Sequence, residues 1–172
     1  MKTTNKKMRG GHLRSTIGFE ILVQDVMTSE VISVLKYDNV MDVAKILAEK
    51  NISGLPVVDK KNKVIGMITQ ADILSVVGMN KEHTFKDLLK HMFGEPLSER
   101  KAGDIVAEIM ASPVVTINPQ ANIAEAAQIM DCKKIRRLAV VDEKNMLIGI
   151  ISRADILKAV LRNLQCDPAG TR

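Results

Sequence analysis

Apolar positions along this chain change period in a fixed order, and the order occurs twice. Val31-Ile32-Ser33-Val34 and Val114-Val115-Thr116-Ile117 are β-prone throughout and predict a short strand. The period then turns helical. Val40, Val43, Ala44 and Leu47 fall at i, i+3, i+4 and i+7, as do Ile123, Ala126, Ala127 and Met130. Asn39 and Asn122 stand at the N-caps, with Asp42 and Glu125 three residues on, where an acid favours the positive helix end. The small alanines at 44 and 127 are expected to let this helix lie close to a sheet. Two β-rich runs follow, 55–58 with 64–69 and 138–141 with 146–152. The polar loops between them hold Asn62 or Asn145, residues that accept a left-handed turn. A last helix is predicted after Thr69 or Ser152, with Leu157, Val160, Leu161 and Leu164 as its apolar set in the second case. A short helical turn (Val23–Met27; Ile105–Met110) precedes each series, so the unit reads β-α-β-β-α.

The two series are copies. Val57-Val58-Asp59 returns as Val140-Val141-Asp142, and Ala71-Asp72-Ile73-Leu74 as Ala154-Asp155-Ile156-Leu157, at a constant offset of 83. The alignment runs without a gap from Val26/Ile109 to Leu74/Leu157, with about 20 identical pairs. Duplication of one supersecondary unit predicts a pseudo-symmetric module with paired clefts.

Composition narrows the function classes. At 172 residues with 46% hydrophobic content the chain can bury a real core, and 2% aromatics with no Trp makes that core aliphatic. Scarce rings argue against single-strand nucleic-acid binding, which relies on stacking platforms. The net charge of +5 is local: Lys2, Lys6, Lys7, Arg9 and Arg14 precede the first acid, and without them basic and acidic residues balance at 20 each. Residues 1–16 therefore read as a flexible basic arm on a neutral body. Cys132 and Cys166 lack the spacing of a metal site or disulfide framework, and no apolar run is long enough for a membrane span. A soluble, cytoplasmic protein is expected.

Between the copies, Phe85, Leu88, Leu89 and Met92 fall at helical spacing behind Thr84, before Gly94 and Pro96. This predicts an amphipathic linker helix, packed on the module or contacting a partner. Catalysis is not indicated. His12, His83 and His91 lie in the arm and linker, and there is no Gly-x-x-x-x-Gly-Lys, His-Glu-x-x-His or nucleophile motif. A non-enzyme without a catalytic cofactor or metal is expected.

The chain resembles a tandem pair of cystathionine β-synthase (CBS) domains, the unit often called a Bateman module. The resemblance rests on strings present in both copies. These are Val26-Met27-Thr28 with Ile109-Met110, Gly54-Leu55-Pro56-Val57-Val58-Asp59 with Leu138-Ala139-Val140-Val141-Asp142, and Gly66-x-Ile68-Thr69-x-x-Asp72 with Gly149-x-Ile151-Ser152-x-x-Asp155. It implies an α/β (α+β) fold of two pseudo-symmetric units packed through their sheets. The divisions would be arm 1–16, CBS unit 17–78, linker 79–102, CBS unit 103–165 and tail 166–172. It also implies clefts for AMP, ADP, ATP or S-adenosylmethionine, frequent homodimers, and a regulatory role.

Within that resemblance, Asp72 and Asp155 are the candidate ribose grips, since a carboxylate can accept both hydrogen bonds of a cis-diol. Thr69, Ser152 and nearby helix-start N–H groups are the candidate phosphate contacts. Thr-x-x-Asp is also close to a capping box, and the two roles are compatible. Candidate purine walls are Val31, Ile32, Ile52, Gly54, Leu55 and Pro56 in copy one, with Val114, Val115, Ile135 and Leu138 in copy two. Ala139 stands where Pro56 leads one to expect proline. Gly66 and Gly149 sit inside strand patterns, where glycine implies a close approach by a purine edge, the opposing unit or ordinary packing. Ser53, Gly54 and Gln70 become Arg136, Arg137 and Arg153 in copy two, which predicts inequivalent clefts, one favouring an anionic nucleotide. Two alternatives stay open at this level: a ligand-free dimerisation module, and a nucleic-acid-associated regulator using the basic arm.

Overall fold

A computed structural model describes residues 21–79 and 104–165. The basic arm, the linker helix and the tail lie outside the described residues. The elements in chain order are α1 (Val23–Val26), β1 (Val34–Leu35), α2 (Val40–Glu49), β2 (Gly54–Val58), β3 (Val64–Thr69) and α3 (Gln70–Met79). The second copy repeats them as α4 (Val106–Ile109), β4 (Thr116–Ile117), α5 (Ile123–Cys132), β5 (Arg137–Val141), β6 (Leu147–Ser152) and α6 (Arg153–Gln165). The result is two three-stranded mixed sheets with helices, an α+β arrangement with strand orders β1-β2-β3 and β4-β5-β6. β1 runs parallel to β2 (Val34↔Val57), and β2 antiparallel to β3 (Gly54↔Thr69).

The first strand of each copy is shorter than its β-prone run, because only Val34–Leu35 and Thr116–Ile117 find ladder partners. The central helices form as the pattern predicts. Asn39 accepts the Met41 N–H at 2.8 Å and Asn122 the Glu125 N–H at 2.8 Å. Val40, Val43 and Leu47 are buried on α2, as are Ile123, Ala126 and Met130 on α5. The expectation for the alanines needs correcting: Ala44 is half-buried at the margin and Ala127 is exposed, so the position facing the core is Val43/Ala126. The predicted face of α6 is also turned outward. Leu157 and Leu161 are 60% and 49% exposed, while Ala159 is buried. The Leu164 side chain lies outside the described ones.

Repeat and compact unit are different divisions of this chain. The described residues of Glu30–Thr116 with Val141–Ile148 form one unit, and those of Met1–Ser29, Ile117–Val140 and Gly149–Arg172 the other. In the first, the core of Val34, Val40, Val43, Leu47, Leu55, Val57, Ile68 and Ile73 is completed by Val106, from the leading helix of copy two. Val106 and Ala107 N–H groups donate to Asp38 and Lys36 carbonyls at 3.0 and 2.8 Å, and Met67 pairs with Ala111. In the second unit, fully buried Val23 of α1 serves copy two. Its N–H donates to the Ala121 carbonyl at 2.8 Å, and Thr28 pairs with Ile150. Each copy's leading helix thus caps the other copy's sheet.

This exchange explains the strand glycines. A Cβ on Gly66 would lie 2.5 Å from the Met110 sulfur, and one on Gly149 would strike the Met27 thioether. Met27 and Met110 are the C-caps of α1 and α4, so each glycine is the seat for a methionine from the exchanged segment.

The β2–β3 and β5–β6 hairpins turn at Asn62 and Asn145, with φ of 61° and 62°. Asp59 and Asp142 organise these turns. Asp59 Oδ1 accepts the Lys61 and Lys63 N–H groups at 2.8 and 2.9 Å, and Asp142 Oδ1 those of Lys144 and Met146 at 2.9 and 2.8 Å. The Lys63 N–H above all holds the Asp59 carboxyl below the usual carboxylate range.

Candidate functional site

The strand-to-helix junctions after β3 and β6 have the same geometry. Thr69 N–H and its hydroxyl both donate to Asp72 Oδ2, at 2.8 and 2.7 Å, while Asp72 N–H returns a bond to Thr69 Oγ1 at 3.4 Å. Ser152 and Asp155 repeat the arrangement at 2.9, 2.6 and 3.3 Å. Both are capping boxes, so the cap that the Thr-x-x-Asp spacing allowed is real. Every one of these carboxylate contacts falls on Oδ2. Oδ1 of Asp72 and of Asp155 takes no hydrogen bond among the described residues, and both aspartates are half-buried. Among the described residues the box therefore engages one carboxylate oxygen and holds the other in a fixed orientation.

Gly54 is paired directly with Thr69, so copy one has no side chain across the ladder from the box. By the repeat, Arg137 takes that position opposite Ser152. The matching bonds, Gln70 N–H to the Ser53 carbonyl (3.2 Å) and Arg153 N–H to the Arg136 carbonyl (3.0 Å), show the same register. Burial, and behind it the charge of Arg136, holds the Arg137 guanidinium below its ordinary value. Arg136 is exposed. Arg153 is tied into the fold: Nε donates to the Ile135 carbonyl at 3.1 Å and Nη2 to the Met130 carbonyl at 2.9 Å. Gln70 makes the corresponding bond to the Ile52 carbonyl at 3.2 Å. Position 70/153 therefore anchors the loop after the central helix in both copies.

The apolar candidates divide. Leu55 and Leu138 are 2% and 0% exposed and belong to the cores; they fix the strands and offer no face to a ligand. Gly54 and Pro56 are likewise buried. Ile32 is 39% exposed, and Val31, Ile52, Ile135, Val114 and Val115 are half-buried. Val114 and Val115 group with the unit that holds copy one's sheet, separately from Ser152 and Asp155. Among the described residues no three His, Cys, Asp or Glu side chains could hold a metal ion, and no helix is long and apolar enough to cross a membrane.

The CBS domain family model matches residues 23–78 and 106–162. The chain belongs to the CBS domain family. It is 29% identical to the uncharacterized protein MJ1426 of Methanocaldococcus jannaschii over 82% of this chain and 92% of that protein. Other curated relatives are longer. The chain spans 34%, 22% and 40% of three from the same organism, one of them an inosine-5'-monophosphate dehydrogenase. Among solved structures, CBSX2 in complex with AMP aligns at a TM-score of 0.67 and 27% identity, covering 84% of this chain and 98% of that one. The CBS domain pair of protein MJ0100, in complex with 5'-methylthioadenosine and S-adenosyl-L-methionine, aligns at 0.65 and 27%, covering 81% and 98%.

Proposed function

We propose that this CBS pair is a regulatory module that binds an adenosine-containing ligand (AMP, ADP, ATP or S-adenosylmethionine) at Thr69–Asp72 and Ser152–Asp155. The observation that carries it is the duplicated box whose Oδ1 takes no hydrogen bond among the described residues, an acceptor suited to a ribose diol. The AMP complex of CBSX2 and the adenosyl complexes of MJ0100 support the ligand class. Half-buried Arg137 beside Arg136 favours an anionic ligand in copy two, whereas Gly54 leaves copy one open to an adenosyl group without phosphate. Isothermal calorimetry on protein stripped of nucleotide tests the proposal. Saturable heat with AMP, ATP or S-adenosylmethionine is expected, and its absence with all three would leave the second reading, a ligand-free structural module. That reading draws on the boxes themselves, which are complete helix caps without any ligand.

The outward Leu157 and Leu161 of α6 support self-association as a homodimer. Leu157→Glu/Leu161→Glu is expected to shift the sedimentation coefficient to that of a monomer. An unchanged coefficient removes these leucines from any interface.

A further inference from the structure

The two hairpin tips meet within one compact unit and are joined by four reciprocal bonds. Val64 N–H donates to the Asn145 carbonyl (3.2 Å) and Leu147 N–H to the Asn62 carbonyl (3.0 Å). Asn62 Nδ2 donates to the Leu147 carbonyl and Asn145 Nδ2 to the Val64 carbonyl, both at 3.2 Å. Each bond has its counterpart one repeat away. The two asparagines meet two demands together: φ near +60°, which Asn tolerates, and an amide donor that reaches the other tip.

The strands that leave this clasp end at the candidate sites. β3 runs from Val64 to Thr69, and β6 from Leu147 to Ser152. An extended strand has little slack along its axis, and three of the four clasp bonds, at 3.2 Å, lie at the long end of the normal range, the fourth being 3.0 Å. A ligand that draws Thr69 and Asp72 along the β3 axis therefore strains the clasp. We propose that the Asn62–Asn145 clasp couples the two sites, so that occupancy at one changes the state of the strand leading to the other. The proposal rests on the adenosine-binding reading above. The clasp supplies the two-state element, closed or open, that both ligands bias.

The test uses S-adenosylmethionine, the phosphate-free ligand that copy one is open to, and the full chain carrying Asp155→Asn, which weakens the copy-two site while retaining an acceptor for the Ser152 cap. S-adenosylmethionine is expected to slow amide exchange over 64–72 and also to change it over 147–152 by about fivefold, the low end of ordinary coupling. Adding Asn62→Gly/Asn145→Gly keeps the turn conformation and removes only the side-chain donors. Two of the four bonds are then gone and the backbone pair remains, so the change over 147–152 should fall well below fivefold while protection over 64–72 persists. Asn62→Asp/Asn145→Asp, with acceptors in place of the donors, should give the same loss and serves if the glycine variant does not fold. Unchanged exchange over 147–152 with the clasp intact, or an equal change without it, overturns the coupling. No protection over 64–72, together with no heat in the native protein, overturns the binding reading, and the coupling falls with it.

Discussion

Gly149→Ala is expected to lower the melting temperature by several degrees, and Gly149→Val by more. A Cβ at this position meets the Met27 thioether, with Met27 Cγ and Cε at 3.1 and 3.2 Å, so the methionine must leave its seat. Overpacking of this kind costs about 1–3 kcal/mol, and about 1 kcal/mol shifts the midpoint of a domain this size by roughly 2–4 °C. Met27→Ala should also destabilise, by loss of packing. The informative variant is the double one. Gly149→Ala/Met27→Ala should lose about 1 kcal/mol less than the sum of the singles, because the alanine Cβ refills the space the thioether left. At Gly66 the rescue by Met110→Ala should be only partial, since the Ala111 carbonyl also stands 3.3 Å from the added carbon and is backbone. Additive melting shifts at residue 149 would show that the exchanged α1 segment does not sit on β6 as described.

The second large effect separates cap from ligand contact. Asp72→Ala and Asp155→Ala remove the acceptor for the Thr69 or Ser152 N–H and hydroxyl, and each should cost about 0.5–2 kcal/mol of stability. They should also weaken AMP binding at the affected site by about one to two orders of magnitude, since a charge-assisted hydrogen bond contributes about 1.5–3 kcal/mol. Asp72→Asn and Asp155→Asn keep an oxygen facing the cap donors, so they should melt close to the native protein yet still lose about tenfold or more in affinity through the missing charge. Calorimetry and melting on the same four variants decide the matter. If the asparagine variants bind AMP as tightly as the native chain, the carboxylates are helix caps and the ribose contact must lie elsewhere.

Much of this architecture was legible in the sequence because local chemistry dictates it. The N-caps Asn39 and Asn122, the helix starts after Thr69 and Ser152, and the left-handed turns at Asn62 and Asn145 depend on residues within four positions of one another. The box residues could be named for the same reason. What each box leaves unengaged could not, because spacing does not say which carboxylate oxygen the cap takes. The apolar walls are less legible. Leu55 and Leu138 have the same apolar character as Ile32, and only burial distinguishes a core leucine from an exposed isoleucine. Arg153 looked like a phosphate contact beside Arg136 and Arg137, yet its guanidinium pins the Met130 and Ile135 carbonyls. The one sequence hint was that Gln70, at the matching position, can make a similar bond.

The 83-residue repeat by itself determined the β-α-β-β-α order, the family resemblance and the duplicated carboxylates, since all of these are properties of a single copy read along its own length. Tertiary structure alone decided that the copies exchange their leading helices, that Gly66 and Gly149 exist to seat Met110 and Met27, and that the hairpin tips clasp. Those contacts join residues about 40 to 120 positions apart. Periodicity reports which face of an element is buried, but not which of two nearly identical sheets that face will cover.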